Sequence, residues 1–215
     1  MTYSIFRNSY FFMFLLSLPL LAASASAQAA CPSPLQGSSY DRQINSGSIN
    51  QDLFNRAVLY YTNKIRCRRG LPLLDSTRDV IGAANTQARN MTRTRTYSHN
   101  LSVAGARNLR ERMRTQTRNF RTAGENIAKN FVYVLNGRPY IPASNCAFRY
   151  LSTRQPVPVH TYRSLAQELV KSWETSRDHL ANIVNRRYTR MGAAFGIDRR
   201  GQLCGEVYAS QVFAG

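Results

Sequence analysis

The sequence predicts an α+β domain in which helices cover an antiparallel sheet. Three observations predict it. Apolar residues recur at helical spacing in Leu53–Ile65, Val80–Met91 and Leu165–Trp173. Two strand-like runs, Arg187–Ile197 and Leu203–Phe213, flank the turn Asp198-Arg199-Arg200-Gly201. A further β-branched and aromatic run, Phe131–Leu135, leads into Asn136-Gly137, with Tyr140-Ile141 beyond; Asn-Gly between such runs signals a hairpin.

Residues 1–29 read as a leader to be removed. Phe11–Ala23 is apolar apart from Ser17 and Pro19, and small residues with A-x-A sites follow through Ala30. The run is shorter than the ~20 apolar residues of a spanning helix. No second long apolar run follows, so no transmembrane segment is expected in the mature chain. Residues 30–49 are rich in Pro, Gly, Ser and Asn and read as an irregular arm. The domain proper is expected over 50–215.

Its first helix carries Leu53, Ala57, Tyr61 and Ile65 as a stripe, flanked by Phe54 and Val58, and stops at Gly70. Leu71-Pro72-Leu73-Leu74 is an apolar link. Ser76 with Asp79 resembles a capping box for a second helix with Val80, Ala84, Ala88 and Met91 on its buried face. A short helix is expected around Leu109. Ser164 with Gln167 opens the helix of Leu165, Leu169 and Trp173, and Ser176 is placed to cap another short helix through Val184.

All four cysteines, Cys31, Cys67, Cys146 and Cys204, lie beyond the leader. An even count in an exported chain points to two disulfides, with three pairings open. No C-x-x-C spacing supports a zinc cluster.

The chain is 43% hydrophobic and 11% aromatic, which excludes a disordered basic tail. Its 29 Lys+Arg against 11 Asp+Glu give a net charge of +18, and only Lys64, Lys129 and Lys171 are lysines. Nine arginines fall within Arg89–Arg121, with Glu111 the one acid. That stretch is either a solvated basic face or a docking surface for an anionic cell-envelope polymer. Tyr97 and Phe120 are its only aromatics. It therefore lacks the stacking ladder of a single-strand binder, and specific nucleic-acid recognition is not expected.

There are three histidines. His160, between Val159 and Thr161 in a proline-rich segment, reads as a surface-loop residue. His99 follows the second helix, and His179 follows Trp173 by six residues. With Gly124-Glu125-Asn126-Ile127 they form a pattern. Gly70-Leu71-Pro72-Leu73-Leu74 closes the first helix, and His99 follows the second. The Gly-Glu-Asn-Ile motif comes next, then Trp173, Ser176, His179, Asn182, Ile183 and Gly192, and the last strand ends in Gln211 and Phe213.

In these landmarks the chain resembles the CAP superfamily of cysteine-rich secretory, antigen 5 and pathogenesis-related proteins, in its bacterial branch, from about Leu53 to Phe213. The resemblance implies an α-β-α sandwich with a central cleft lined by two histidines and acidic residues. His99, His179 and Glu125 match three of these. Ser176 stands where animal and plant members carry the second acid. Glu174, one residue after Trp173, belongs to a different helical face.

Two imidazoles and a carboxylate suit zinc or another divalent metal, so His99, His179 and Glu125 are the expected ligands. Without a metal, Glu125 would orient a histidine. Alternatively, both histidines only tie loops to the sheet. The expected protein is secreted or periplasmic, and its cleft (His99, Glu125, Ser176, His179) takes a small ligand or lipid. The alternatives are a metal-assisted hydrolase of peptide or cell wall and a charge-driven envelope polyanion binder. No Ser-His-Asp or His-Glu-x-x-His signature supports turnover.

Overall fold

In the computed structural model, which describes residues 31–142 and 145–215, Asn50 caps helix α1 (Gln51–Arg68) by accepting the Leu53 N–H at 3.1 Å. The expected leader, 1–29, lies outside the described residues. Phe54, Ala57, Val58 and Ile65 form the buried face of α1, while Leu53 and Tyr61 sit half-buried at its margin. The chain leaves the helix through Gly70 at φ +62°, a conformation glycine adopts without a Cβ penalty.

Helix α2 (Arg78–Thr94) buries Val80, Ala84, Ala88 and Met91 completely. Its cap position is Thr77, one residue later than expected. The Ser76 hydroxyl instead accepts from the Asn55 amide at 2.8 Å. Helix α3 (Leu109–Gln116) is capped by Asn108, which accepts the Glu111 N–H at 2.9 Å.

Strand β1 (Ala123–Phe131) follows, then the two-residue strands β2 (Tyr140–Ile141) and β3 (Arg149–Tyr150). Helix α4 (Tyr162–Thr175) starts at Thr161, with Ser164 as the reciprocal partner of its capping box. The box therefore sits three residues upstream of the expected Ser164–Gln167 pair. Helix α5 (Arg177–Ile183) begins after Ser176. Strands β4 (Arg190–Asp198) and β5 (Glu206–Ala214) close the domain as the expected antiparallel hairpin.

The main sheet has the order β1-β5-β4, antiparallel throughout. Alternate residues of β5 serve opposite faces. Val207, Ala209 and Phe213 join Phe54, Leu165, Leu169 and Trp173 of α1 and α4. Val212 and Ala214 join Val80, Ala84, Ala88 and Met113 of α2 and α3. The sheet is thus the middle layer of an α-β-α sandwich.

Gly192 makes the α2 side possible: a Cβ there would stand 2.3 Å from the backbone nitrogen of Ile81. Among the described residues no helix is long and apolar enough to cross a membrane.

The hairpin expected at Asn136-Gly137 is corrected. The turn exists: Asn136 and Gly137 take φ +50° and +68°, and the Arg138 N–H reaches the Leu135 carbonyl at 2.9 Å. Its flanks do not pair with each other. Phe131 ends β1, Tyr133 bridges Val159, and Tyr140-Ile141 pairs with Arg149-Tyr150. Local turn chemistry fixed the reversal, but longer-range partners took the strand edges.

His160 is also corrected. It is 1% exposed, with Nδ1 2.8 Å from the Ser164 hydroxyl and Nε2 3.3 Å from a Glu168 oxygen. Its backbone N–H bonds Val132, and its carbonyl accepts from Ile44. It is an internal tie at the start of α4.

The cysteines pair as Cys31–Cys67 and Cys146–Cys204, with Cα separations of 5.4 and 6.0 Å. The first pins the arm to α1, and the second ties the segment after β2 to the turn before β5.

Candidate functional site

Strand β1 is a sheet edge, and its pleat divides the Gly-Glu-Asn-Ile motif between the two helical layers. Glu125 and Ile127 face α2 and α3, where Ile127 packs with Met91, Leu101 and Tyr208. Asn126 faces the opposite layer. Its Nδ2 donates to the His179 carbonyl and to the Gln211 side chain, each at 3.1 Å, and its Oδ1 accepts from Asn182 at 2.9 Å. Gln211 continues to the Thr62 hydroxyl at 2.8 Å.

The outward carbonyls of the edge are also occupied. Glu125 O accepts from Asn182, and Ile127 O accepts from Trp173 Nε1 at 3.0 Å and Tyr97 OH at 3.1 Å. Side chains seated on these carbonyls obstruct strand addition there and leave a wall on which a cleft can form.

On the α3 side Glu125 is buried, and Arg112 lies beneath it with no exposed surface. Arg112 Nη2 is 2.9 Å from both Glu125 oxygens, while Nη1 donates to the carbonyls of His99 and Ala106. Ser210 donates to Glu125 Oε1 at 3.2 Å. On the solvent side His99 Nδ1 stands 2.9 Å from Glu125 Oε2, and the imidazole is half-exposed.

A carboxylate is an acceptor, so the neutral ring carries its proton on Nδ1 and presents a bare Nε2 to solvent. Gln87 and Arg112 both hold the His99 backbone, which fixes the loop as well as the ring.

His179 reaches the same edge from α5 and is half-buried. Burial pushes its pKa below the ordinary 6.5, and the nearby His99 imidazole lowers it further. A neutral His179 ring is a lone-pair acceptor rather than a cation. Ser176 lies at the α4–α5 junction, where its backbone bridges Trp173 and Leu180 while its hydroxyl makes no capping bond. Glu174 points away and pairs with Arg68 at 2.7 Å.

The three-ligand metal set does not fit this arrangement. Both Glu125 oxygens are engaged by Arg112, and a divalent ion on that carboxylate would meet a buried guanidinium. Among the described residues no three His, Cys, Asp or Glu side chains stand in an arrangement that could hold a metal ion.

Sequence reasoning singled out His99, His179, Ser176 and Glu125 and placed Asn126 in the motif without a role, but missed Arg112 and Ser210. Arg112 had a legible signal. Leu109 and Met113 mark the inner face of a short helix, and position 112 adjoins it.

The profile of the CAP family, the cysteine-rich secretory protein family, matches residues 59–213. The chain belongs to the CAP family. Solved structures agree in fold. An extracellular protein containing an SCP domain from Bacillus anthracis superposes with a TM-score of 0.52 at 19% identity, over 85% of this chain and 45% of that one. An outer surface protein of Borrelia burgdorferi gives 0.52 at 13% identity, over 80% of this chain and 96% of the other. This CAP chain thus spans less than half of the Bacillus protein. No curated protein matches it.

Proposed function

We propose that this CAP domain is an exported binding protein, periplasmic or secreted, whose cleft at the β1 edge takes a small ligand through His99 Nε2, with His179 and Ser176 beside it. One observation carries the reading: His99 is pinned from behind by Glu125, which is itself pinned by Arg112 and Ser210. A ring held this firmly is a preorganised hydrogen-bond acceptor. The ligand group it suits is a neutral donor such as a hydroxyl, amide or protonated acid. Two disulfides and a leader-like first segment support export. Hydrolysis has less support, because nothing beside His99 acts as a nucleophile partner at hydrogen-bond distance.

The test is a fragment set of phenols, amides and carboxylic acids screened by NMR on labelled histidine rings. The expected result is ligand-dependent shifts at His99 and His179 that disappear in His99→Ala. No response at either ring across the set overturns the reading. Zinc titration separates the metal alternative: tight binding lost in both His99→Ala and Glu125→Gln restores the three-ligand site.

A further inference from the structure

Helix α3 and the loop behind it form a concavity of about 880 Å³, lined by Arg110, Arg114, Arg118 and Arg121 with Leu109, Phe120 and Ala123. The four arginines are exposed, and the apolar residues are half-buried. Arg110 and Arg114 lie four residues apart on α3, about 6 Å along its axis.

These positive charges are unmatched. Ten of the chain's eleven acidic residues lie within ion-pair distance of a basic partner, none of them an arginine of this groove. Glu111, the one acid on α3, is turned to Arg107. Arg112, next in sequence, points inward to Glu125. The groove's arginines therefore share the chain's unpaired positive charge, and here four of them line one concavity, placed to meet an anion together.

We propose that this groove binds a phosphate-bearing polysaccharide of the cell envelope. Guanidinium forks match the oxygens of a phosphate bidentately. Four forks around one concavity call for a ligand whose anionic groups are closely spaced. The apolar strip of Leu109, Phe120 and Ala123 gives sugar faces a surface to lie on, and the groove's openness suits a chain passing through rather than an enclosed small molecule. Phe120 alone cannot stack successive bases, which disfavours single-stranded nucleic acid. A second concavity, lined by Arg89 and Arg93 of α2 and by Thr115, lies along the other side of α3 and extends the basic surface. The groove is separate from the His99 cleft: its envelope ligand rests on the proposed export, while its test is read independently of the cleft.

The test uses phosphomannan as the probe, with neutral mannan, single-stranded DNA and phosphatidylglycerol vesicles as comparators. Arg114→Ala/Arg118→Ala removes two groove charges, while Arg42→Ala/Arg69→Ala removes two exposed arginines elsewhere. The expected result is phosphomannan binding, without mannan binding, that weakens steeply with salt. The groove variant should lose about tenfold in affinity and lower the log–log salt slope by about 1.4, the weight of two phosphate contacts on a flexible polyanion. The control variant should stay within about twofold. Equal loss in both variants overturns the proposal in favour of diffuse charge. Equal or tighter binding of DNA or vesicles overturns the choice of a glycan. Thermal unfolding of each variant verifies that the fold is intact.

Discussion

Arg112 and Glu125 are a buried ion pair: one guanidinium nitrogen is 2.9 Å from each carboxylate oxygen, and both side chains are almost wholly withdrawn from water. Removing one partner strands the other charge in the interior. Arg112→Met should therefore cost about 3–5 kcal/mol of stability, and Arg112→Met/Glu125→Leu should recover most of it. Urea unfolding of the three proteins measures this. A loss below about 1 kcal/mol in the single variant would show the pair behaving as a surface bridge.

The same carboxylate sets the His99 tautomer. Long-range nitrogen–proton spectra at about pH 8, where a histidine is neutral, should show the proton on Nδ1. A ring protonated on Nε2 contradicts the orientation that underlies the proposed cleft.

Glu168 makes stability depend on acid. Its carboxyl lies below the ordinary 4.5, chiefly through the His160 imidazole, whose Nε2 stands 3.3 Å away, with the Asn130 amide donating beside it. A carboxylate with a depressed folded value contributes stability fully above its unfolded value and loses it as pH falls through the folded one. Wild type should lose more stability than Glu168→Gln between about pH 7 and about pH 3. Parallel pH profiles would remove Glu168 from the account.

Two glycines on β4 should differ in tolerance. A Cβ at Gly192 would meet α2 backbone, Ile81 N at 2.3 Å and Val80 C at 2.5 Å, whereas at Gly196 it would meet the Thr92 hydroxyl at 2.2 Å. Backbone cannot turn aside, while a hydroxyl can change rotamer. Gly192→Ala should cost about 1–3 kcal/mol and Gly196→Ala less. Equal melting temperatures for the two variants would refute the distinction.

The disulfides offer a covalent check. Peptide mapping without reduction should link Cys31 to Cys67 and Cys146 to Cys204. Any other linkage contradicts the chain path around α1 and β5. Cys146→Ala/Cys204→Ala should lower stability by about 2–5 kcal/mol.

Periodicity made the helices legible. Val80, Ala84, Ala88 and Met91 are buried together because a four-residue repeat marks one face wherever the helix docks. The closing hairpin was legible for the analogous reason at period two. What sequence could not supply was partner choice. Asn136-Gly137 reverses the chain whatever lies beside it, but whether Phe131 pairs forward or with β5 is decided by distant residues. Arg112 stood beside the Leu109–Met113 face, but charge composition among nine arginines carries no direction, so only the fold showed its partner, Glu125. His160 was hidden because its partners, Ser164 and Glu168, become neighbours only once α4 turns toward it. The residues of the cleft were named through a resemblance; the roles of Arg112, Ser210 and Asn126 needed the fold.

The alternation along β1 has a mechanical consequence. Glu125 anchors His99 on one side of the sheet, and the adjacent Asn126 anchors the His179 backbone on the other. A slip of one residue in β1 would put Asn126 where the guanidinium waits for Glu125, and Ile127 where His179 and Asn182 wait for Asn126. The cleft is therefore a register gauge: it assembles only when the edge strand has locked into its native pairing, and a ligand spanning both imidazoles would rivet the two helical layers together across that edge.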